Sequence, residues 1–85
     1  MIELERVRFT HDGLYVSEDY LESTETTASL TAEVRVGDRR TSCRLNVERS
    51  YIFEAREQQI DWQAEIVRRM REMANFYFEH LDRPD

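Results

Sequence analysis

The sequence predicts an α+β fold: an antiparallel sheet of three or four strands packed against one long C-terminal helix. Between Leu30 and Val47 apolar and polar residues alternate on both sides of Gly37-Asp38, the period of a half-buried strand. From about Arg56 to Leu81 no Gly or Pro interrupts the chain and apolar residues recur at helical spacing. The chain has 85 residues, 40% of them hydrophobic, which is material for one core. A single domain over 1–85 is expected.

Residues 2–16 read as a first hairpin. Val7 and Phe9 alternate with Arg6 and Arg8, His11-Asp12-Gly13 supplies the turn, and Leu14-Tyr15-Val16 begins the return strand. Ile2 and Leu4 have the opposite parity to Val7 and Phe9, which calls for a bulge near Glu5. The stretch 17–27, SEDYLESTETT, is acidic and rich in Ser and Thr. It reads as an exposed connection with one helical turn capped by Ser17.

The second hairpin, 28–47, is the clearest strand signal. Leu30, Ala32, Val34 and Val36 share a face, as do Cys43, Leu45 and Val47, with Gly37-Asp38-Arg39-Arg40 as a four-residue turn. The same odd parity extends to Tyr51 and Phe53, so the start of the helix, expected over about 56–82, is the least defined boundary.

On a helical wheel, Asn75, Arg68, Asp61, Glu79, Glu72 and Glu65 occupy only about 80°, leaving apolar residues around about 240°. One stripe, Ile60, Val67, Ala74 and Leu81 with Ala64, Met70 and Phe78, suits packing onto the sheet. A second, Trp62, Ile66, Met73, Phe76 and Tyr77, is broken only by Arg69 and His80. Leaving such a stripe wet forfeits several kcal/mol, at about 25 cal/mol per Å² and about 150–250 Å² per aromatic ring. It is therefore covered by the first hairpin, by a different protein or by a second copy of the chain, and a homodimer through the C-terminal helix is the expected arrangement.

Motifs for catalysis or cofactor binding are absent: there is no HExxH, no paired Cys, no GxGxxG and no GxxxxGK[ST]. His11 beside Asp12 suits a turn, and His80 suits the last helical turn. Cys43 is the one cysteine, placed on the apolar side of a strand without an adjacent base. The carboxylates of Glu65, Glu72 and Glu79 line the wet helix face with Arg68 and Arg69 in reach, a solvated pattern rather than an acid/base pair. No enzyme activity, metal or cofactor is expected.

The formal net charge is -6, and all 12 basic residues are Arg. That balance disfavours a phosphate backbone as partner. Arg35, Arg39, Arg40 and Arg44 do converge on the second hairpin, but Glu33, Asp38 and Glu48 share the surface and no aromatic is interleaved. Neither a secretory leader nor a membrane-length apolar run is visible in the sequence, which with a lone cysteine leads to an expected cytoplasmic setting.

The expected function is a small non-enzymatic protein-binding module, homodimeric through Trp62, Ile66, Met73, Phe76 and Tyr77. Arg39 and Arg40, or Glu18, Asp19 and Glu22 of the acidic connection, are the further candidate contacts. An alternative of another class uses the acidic residues to imitate a phosphate backbone and occupy a basic nucleic-acid-binding groove. In size, charge and lack of catalytic residues the chain is similar to small phage inhibitors of host defence systems, which act in that way.

Overall fold

A computed structural model describes residues 6–82. They form four strands and two helices: β1 (Arg8–His11), β2 (Leu14–Glu18), β3 (Thr27–Val36), β4 (Arg39–Glu48), α1 (Arg49–Glu57) and α2 (Trp62–Asp82). The strands make one antiparallel sheet in the order β1-β2-β3-β4, so every neighbour in the sheet is a neighbour in sequence. The expected bulge near Glu5 lies outside the described residues.

Both hairpin turns are shorter than the strands they join and are set by residues that tolerate positive φ. Asp12 (φ 50°) and Gly13 (φ 77°) join β1 to β2, the double positive φ of a type I′ turn. In the second hairpin the pairing continues to Arg35↔Arg40 and Val36↔Arg39, which leaves a two-residue loop, Gly37-Asp38. Arg39 and Arg40 are thus strand residues rather than part of a four-residue turn. Gly37, at φ 66°, is the loop residue with positive φ, and it holds the first position, where a type II′ turn requires glycine.

The sheet has one apolar face, as the alternation predicts. The rows Phe9, Val16, Ala32, Cys43 and Leu14, Val34 point toward α2, and Leu30, Val47 and Ala28 complete the buried layer. Val67, Met70 and Ala74 of α2 close it, with the Cys43 thiol donating to the Met70 carbonyl oxygen at 3.5 Å.

The single helix expected over 56–82 is two helices, and the first begins directly after β4. Ile52 and Ala55, three residues apart, are the buried residues of α1, while Tyr51 and Phe53 are exposed. The odd parity through 51 and 53 therefore does not extend the strand. The helix is closed by a Schellman pattern: the Ile60 N–H reaches the Ala55 oxygen at 2.8 Å and the Gln59 N–H reaches the Arg56 oxygen at 3.2 Å. Gln59 takes the left-handed position at φ 58°, where glycine is usual. With Gln there, the composition carries no sign of the break.

Asp61 then starts α2 by accepting the Ala64 N–H on Oδ1 at 3.0 Å, an N-cap bond. Asp61→Ala is expected to cost about 1 kcal/mol, a fall in Tm of about 4–8 °C for a domain of this size. A thermal melt followed by circular dichroism reads it directly.

Contacts at three points along α2 fix it in place. At its start Trp62 meets Phe9 of β1 edge-on with centroids 5.2 Å apart and lies under Arg56 at 5.5 Å. In the middle Arg71 Nη2 donates to the Asp12 carbonyl oxygen of the first turn at 2.7 Å. At its end Asp82 pairs with Arg39 at 2.8 Å, and Arg39 also covers the Phe78 ring at 5.3 Å. Since Arg39 opens β4, the sheet runs out beneath the last turn of α2. Leu81, expected to pack on the sheet, is exposed for that reason, and Ile60 is exposed because it precedes the helix.

Candidate functional site

The expected outward stripe of the C-terminal helix divides in two. Trp62 and Ile66 are covered within the chain, at 7% and 1% exposure, and belong to the core; their assignment to an exposed stripe is corrected. Trp62 is folded under by β1, which the helical wheel leaves out, and Ile66 sits within the buried cluster over the sheet. Met73, Phe76 and Tyr77 remain exposed at 40%, 60% and 49%. The Phe76 ring lies against His80 at 4.2 Å and Tyr77 against Phe78 at 5.4 Å, contacts inside the helix that leave their outer faces open.

Met73 and Phe76 overhang the edge of the sheet. With Leu45 of β4 and Arg68, Arg69 and Glu72 of α2 they line an open groove of about 560 Å³ between helix and strand. Leu45, predicted as a core residue, is only half-buried and packs against the core from the side of this groove. Its partial exposure follows from β4 being the outermost strand. Strand order is the missing information, although a meander with short connections would have placed the last strand at an edge.

The backbone of β4 is open along the same edge. The Arg49 N–H donates to the Thr26 oxygen at 2.9 Å, one position beyond the Thr27↔Glu48 pair, and this fixes the phase of the ladder. In an antiparallel pair bonded and non-bonded positions alternate. Thr41, Cys43, Leu45 and Val47 therefore bond to β3, while Arg40, Ser42, Arg44 and Asn46 turn their N–H and C=O groups outward and Glu48, whose carbonyl opens α1, turns its N–H outward.

The acidic candidates are placed differently from expectation. Glu18, read as a surface contact, is buried on the helix side at the end of β2. Its carboxylate accepts Arg49 Nη2 at 2.6 Å, Arg49 Nη1 at 3.2 Å and the Val7 N–H at 3.1 Å. Arg49 in turn donates to the Thr24 oxygen, and Arg6 to the Glu18 oxygen. The pair thus joins the segment before β1, the end of β2, the 19–26 connection and the start of α1. Burial acts to raise the Glu18 pKa, but the hydrogen bonds from Arg49, Val7 and Ser23 outweigh it and the net shift is downward.

Asp19 turns the chain after β2. The N–H groups of Glu22 and Ser23 reach its carbonyl, and Asp19 Oδ1 accepts the Leu21 N–H at 3.1 Å, so Asp19 and not Ser17 caps this single helical turn. Its other oxygen holds Arg44 Nη2 at 3.0 Å, the bond that lowers its pKa most. Glu22 is exposed. Arg39 is engaged by Asp82 and Arg40 by Glu33 at 3.2 Å, both pairs lying on the surface.

On the outer side of α2, Glu65 binds Arg68 and Arg69, and Glu72 binds Arg68, the solvated network expected from their spacing. Burial raises the pKa of the Cys43 thiol, which keeps it protonated and poorly nucleophilic. Among the described residues no three His, Cys, Asp or Glu side chains gather to hold a metal ion, and no helix is long and apolar enough to cross a membrane. Compared with protein-family models, curated proteins and solved structures, the chain matches none.

Proposed function

We propose that the protein is a non-enzymatic binding module that self-associates through the face made by α2 and the edge of the sheet. One observation carries the reading: the core closes without Met73, Phe76 and Tyr77, and these large apolar residues stay exposed. Exposed apolar patches of this kind mark protein contacts. The groove beside Leu45 gives Met73 and Phe76 a place to receive side chains from outside.

The alternative, an acidic inhibitor seated in a basic groove, has less support. It draws on the acidic connection, yet Glu18 is buried against Arg49 and Asp19 holds Arg44. Catalysis lacks a carrier for similar reasons: the thiol is buried, and the Glu65 and Glu72 carboxylates are bound to arginines at the surface.

Light scattering on a sizing column should give a mass near twice 10.3 kDa that holds over a wide range of dilution. Met73→Ser with Phe76→Ser should shift the equilibrium to monomer, weakening association at least about a hundredfold, since large side chains at the centre of an interface each contribute about 1–3 kcal/mol or more. The double variant should retain the native circular dichroism spectrum. A wild-type chain that stays monomeric at every concentration overturns the proposal.

A further inference from the structure

Resting on that self-association, we infer that the seam between the two copies is β4 paired antiparallel with β4, which makes one continuous eight-stranded sheet. A strand edge with unmet N–H and C=O groups is a template for another strand. Native sheets blunt such edges with short strands, charged side chains, proline, bulges or a covering segment, and of these β4 carries charge, in both signs. Here β4 has ten residues, no proline and no bulge in its register with β3. Among the described residues none donates to or accepts from the outward backbone groups of Arg40, Ser42, Arg44 or Asn46, or accepts the Glu48 N–H, while the Glu48 carbonyl, at the N-cap of α1, opens that helix.

The charges of β4 favour its own copy as occupant, and in the antiparallel sense. Arg39, Arg40 and Arg44 occupy its first part and Glu48 its end. A parallel copy would set Arg against Arg and Glu against Glu. An antiparallel copy centred on Arg44 sets Arg40 opposite Glu48 of the second copy, twice by symmetry, with Ser42 opposite Asn46. Only this centre sets all five of these residues opposite one another, with Ser42, Arg44 and Asn46 in full bonded pairs and the Glu48 N–H as the outermost rung. The two Arg44 side chains meet at the axis, but each is already held by Asp19 at 3.0 Å and by Ser29 at 2.6 Å.

The apolar side closes in the same register. Cys43 comes opposite Leu45 of the second copy on the helix face, and Thr41 opposite Val47. Leu45 gains the cover it lacks in one chain. Met73 and Phe76, which overhang this edge from α2, face their counterparts across the axis. Backbone pairing and the exposed helix residues then belong to a single interface.

The experiment is the dissociation constant of the full chain, by light scattering and sedimentation, for the wild type, Arg44→Pro, Arg40→Glu and Arg40→Glu with Glu48→Arg. Proline at position 44 removes an outward N–H and none that bonds to β3, and edge strands accept it. It should weaken dimerisation about a hundredfold or more through the two lost rungs at the axis. Arg40→Glu should weaken it about tenfold, and the added Glu48→Arg should restore it, a rescue that a change in monomer stability would not produce.

A monomeric wild type would overturn the self-association and the seam together. A dimeric wild type with a folded, still dimeric Arg44→Pro would overturn the seam alone and leave α2 as the contact. Should Arg44→Pro fail to fold, the charge exchange decides: absence of rescue by Glu48→Arg overturns the seam.

Discussion

Glu18→Ala should remove a large part of the stability of the fold. The Glu18 carboxylate is fully shielded and makes three charge-assisted or backbone bonds, and removing it leaves the mostly buried Arg49 guanidinium without a counter-charge. Breaking a buried pair from one side costs about 3–5 kcal/mol, against about 5–15 kcal/mol for the whole stability of a domain. Urea unfolding monitored by Trp62 fluorescence should show the midpoint falling by a third or more, and a shift below about 1 kcal/mol would show the pair to be unimportant. Replacing both residues, Glu18→Leu with Arg49→Met, should recover most of the loss because no charge is then stranded.

The pair also fixes the sign of the pH response. The folded-state pKa of Glu18 lies below its ordinary value, so ionisation favours the fold. That contribution is complete above the unfolded pKa of about 4.3 and is lost as pH falls through the lower folded value. Wild-type stability should thus decline on acidification below about pH 5, and the Glu18→Leu, Arg49→Met variant should decline less steeply. Asp19 and Glu65, whose pKa values are also lowered, contribute in the same direction from the surface.

Trp62→Ala and Phe76→Ser should separate sharply, although the helical wheel treats the two aromatics alike. Trp62 is in the core between Phe9 and Arg56, and its truncation is expected to cost about 3–5 kcal/mol through lost burial and the cavity left. Phe76 is mostly exposed, so Phe76→Ser should leave the thermal melt of the monomer within about 0.5 kcal/mol of wild type. Its effect belongs to association. If Phe76→Ser destabilises the chain as much as Trp62→Ala, the division of the stripe into core and surface is wrong.

The strands were legible because their information is local. Alternation locates β3 to within a residue and β4 to within two, the start of β4 at Arg39 being hidden by the Arg39-Arg40 pair read as turn, and Asp12-Gly13 and Gly37-Asp38 have the conformational freedom their turns use. The helix break was not legible, because Gln59 adopts a left-handed conformation without the glycine that usually announces it. The wheel therefore ran through a turn and assigned Ile60 to the core.

For the site, Met73, Phe76 and Tyr77 could be named from helical spacing alone. Trp62 and Ile66 could not be excluded, since their cover comes from β1 and from how α2 crosses the sheet. Glu18 was hidden for a similar reason. Its partner Arg49 lies 31 residues away, and nothing in an acidic, Ser-rich stretch marks one carboxylate as buried.

A meander of sequential strands has a kinetic consequence. Each hairpin closes a short loop, so β1 to β4 can assemble by nearest-neighbour steps of the kind that proceed in microseconds to milliseconds. The contacts of α2 with the first hairpin are of another order: Arg71 meets Asp12 across 59 residues of chain, and Trp62 must reach back to Phe9. Closing that span costs more loop entropy than closing either hairpin, and it is expected to follow the assembly of the sheet that receives α2. Until then the apolar face of the sheet and its open edge are exposed together, so the interval before α2 docks is when the chain is most prone to pair with the wrong neighbour.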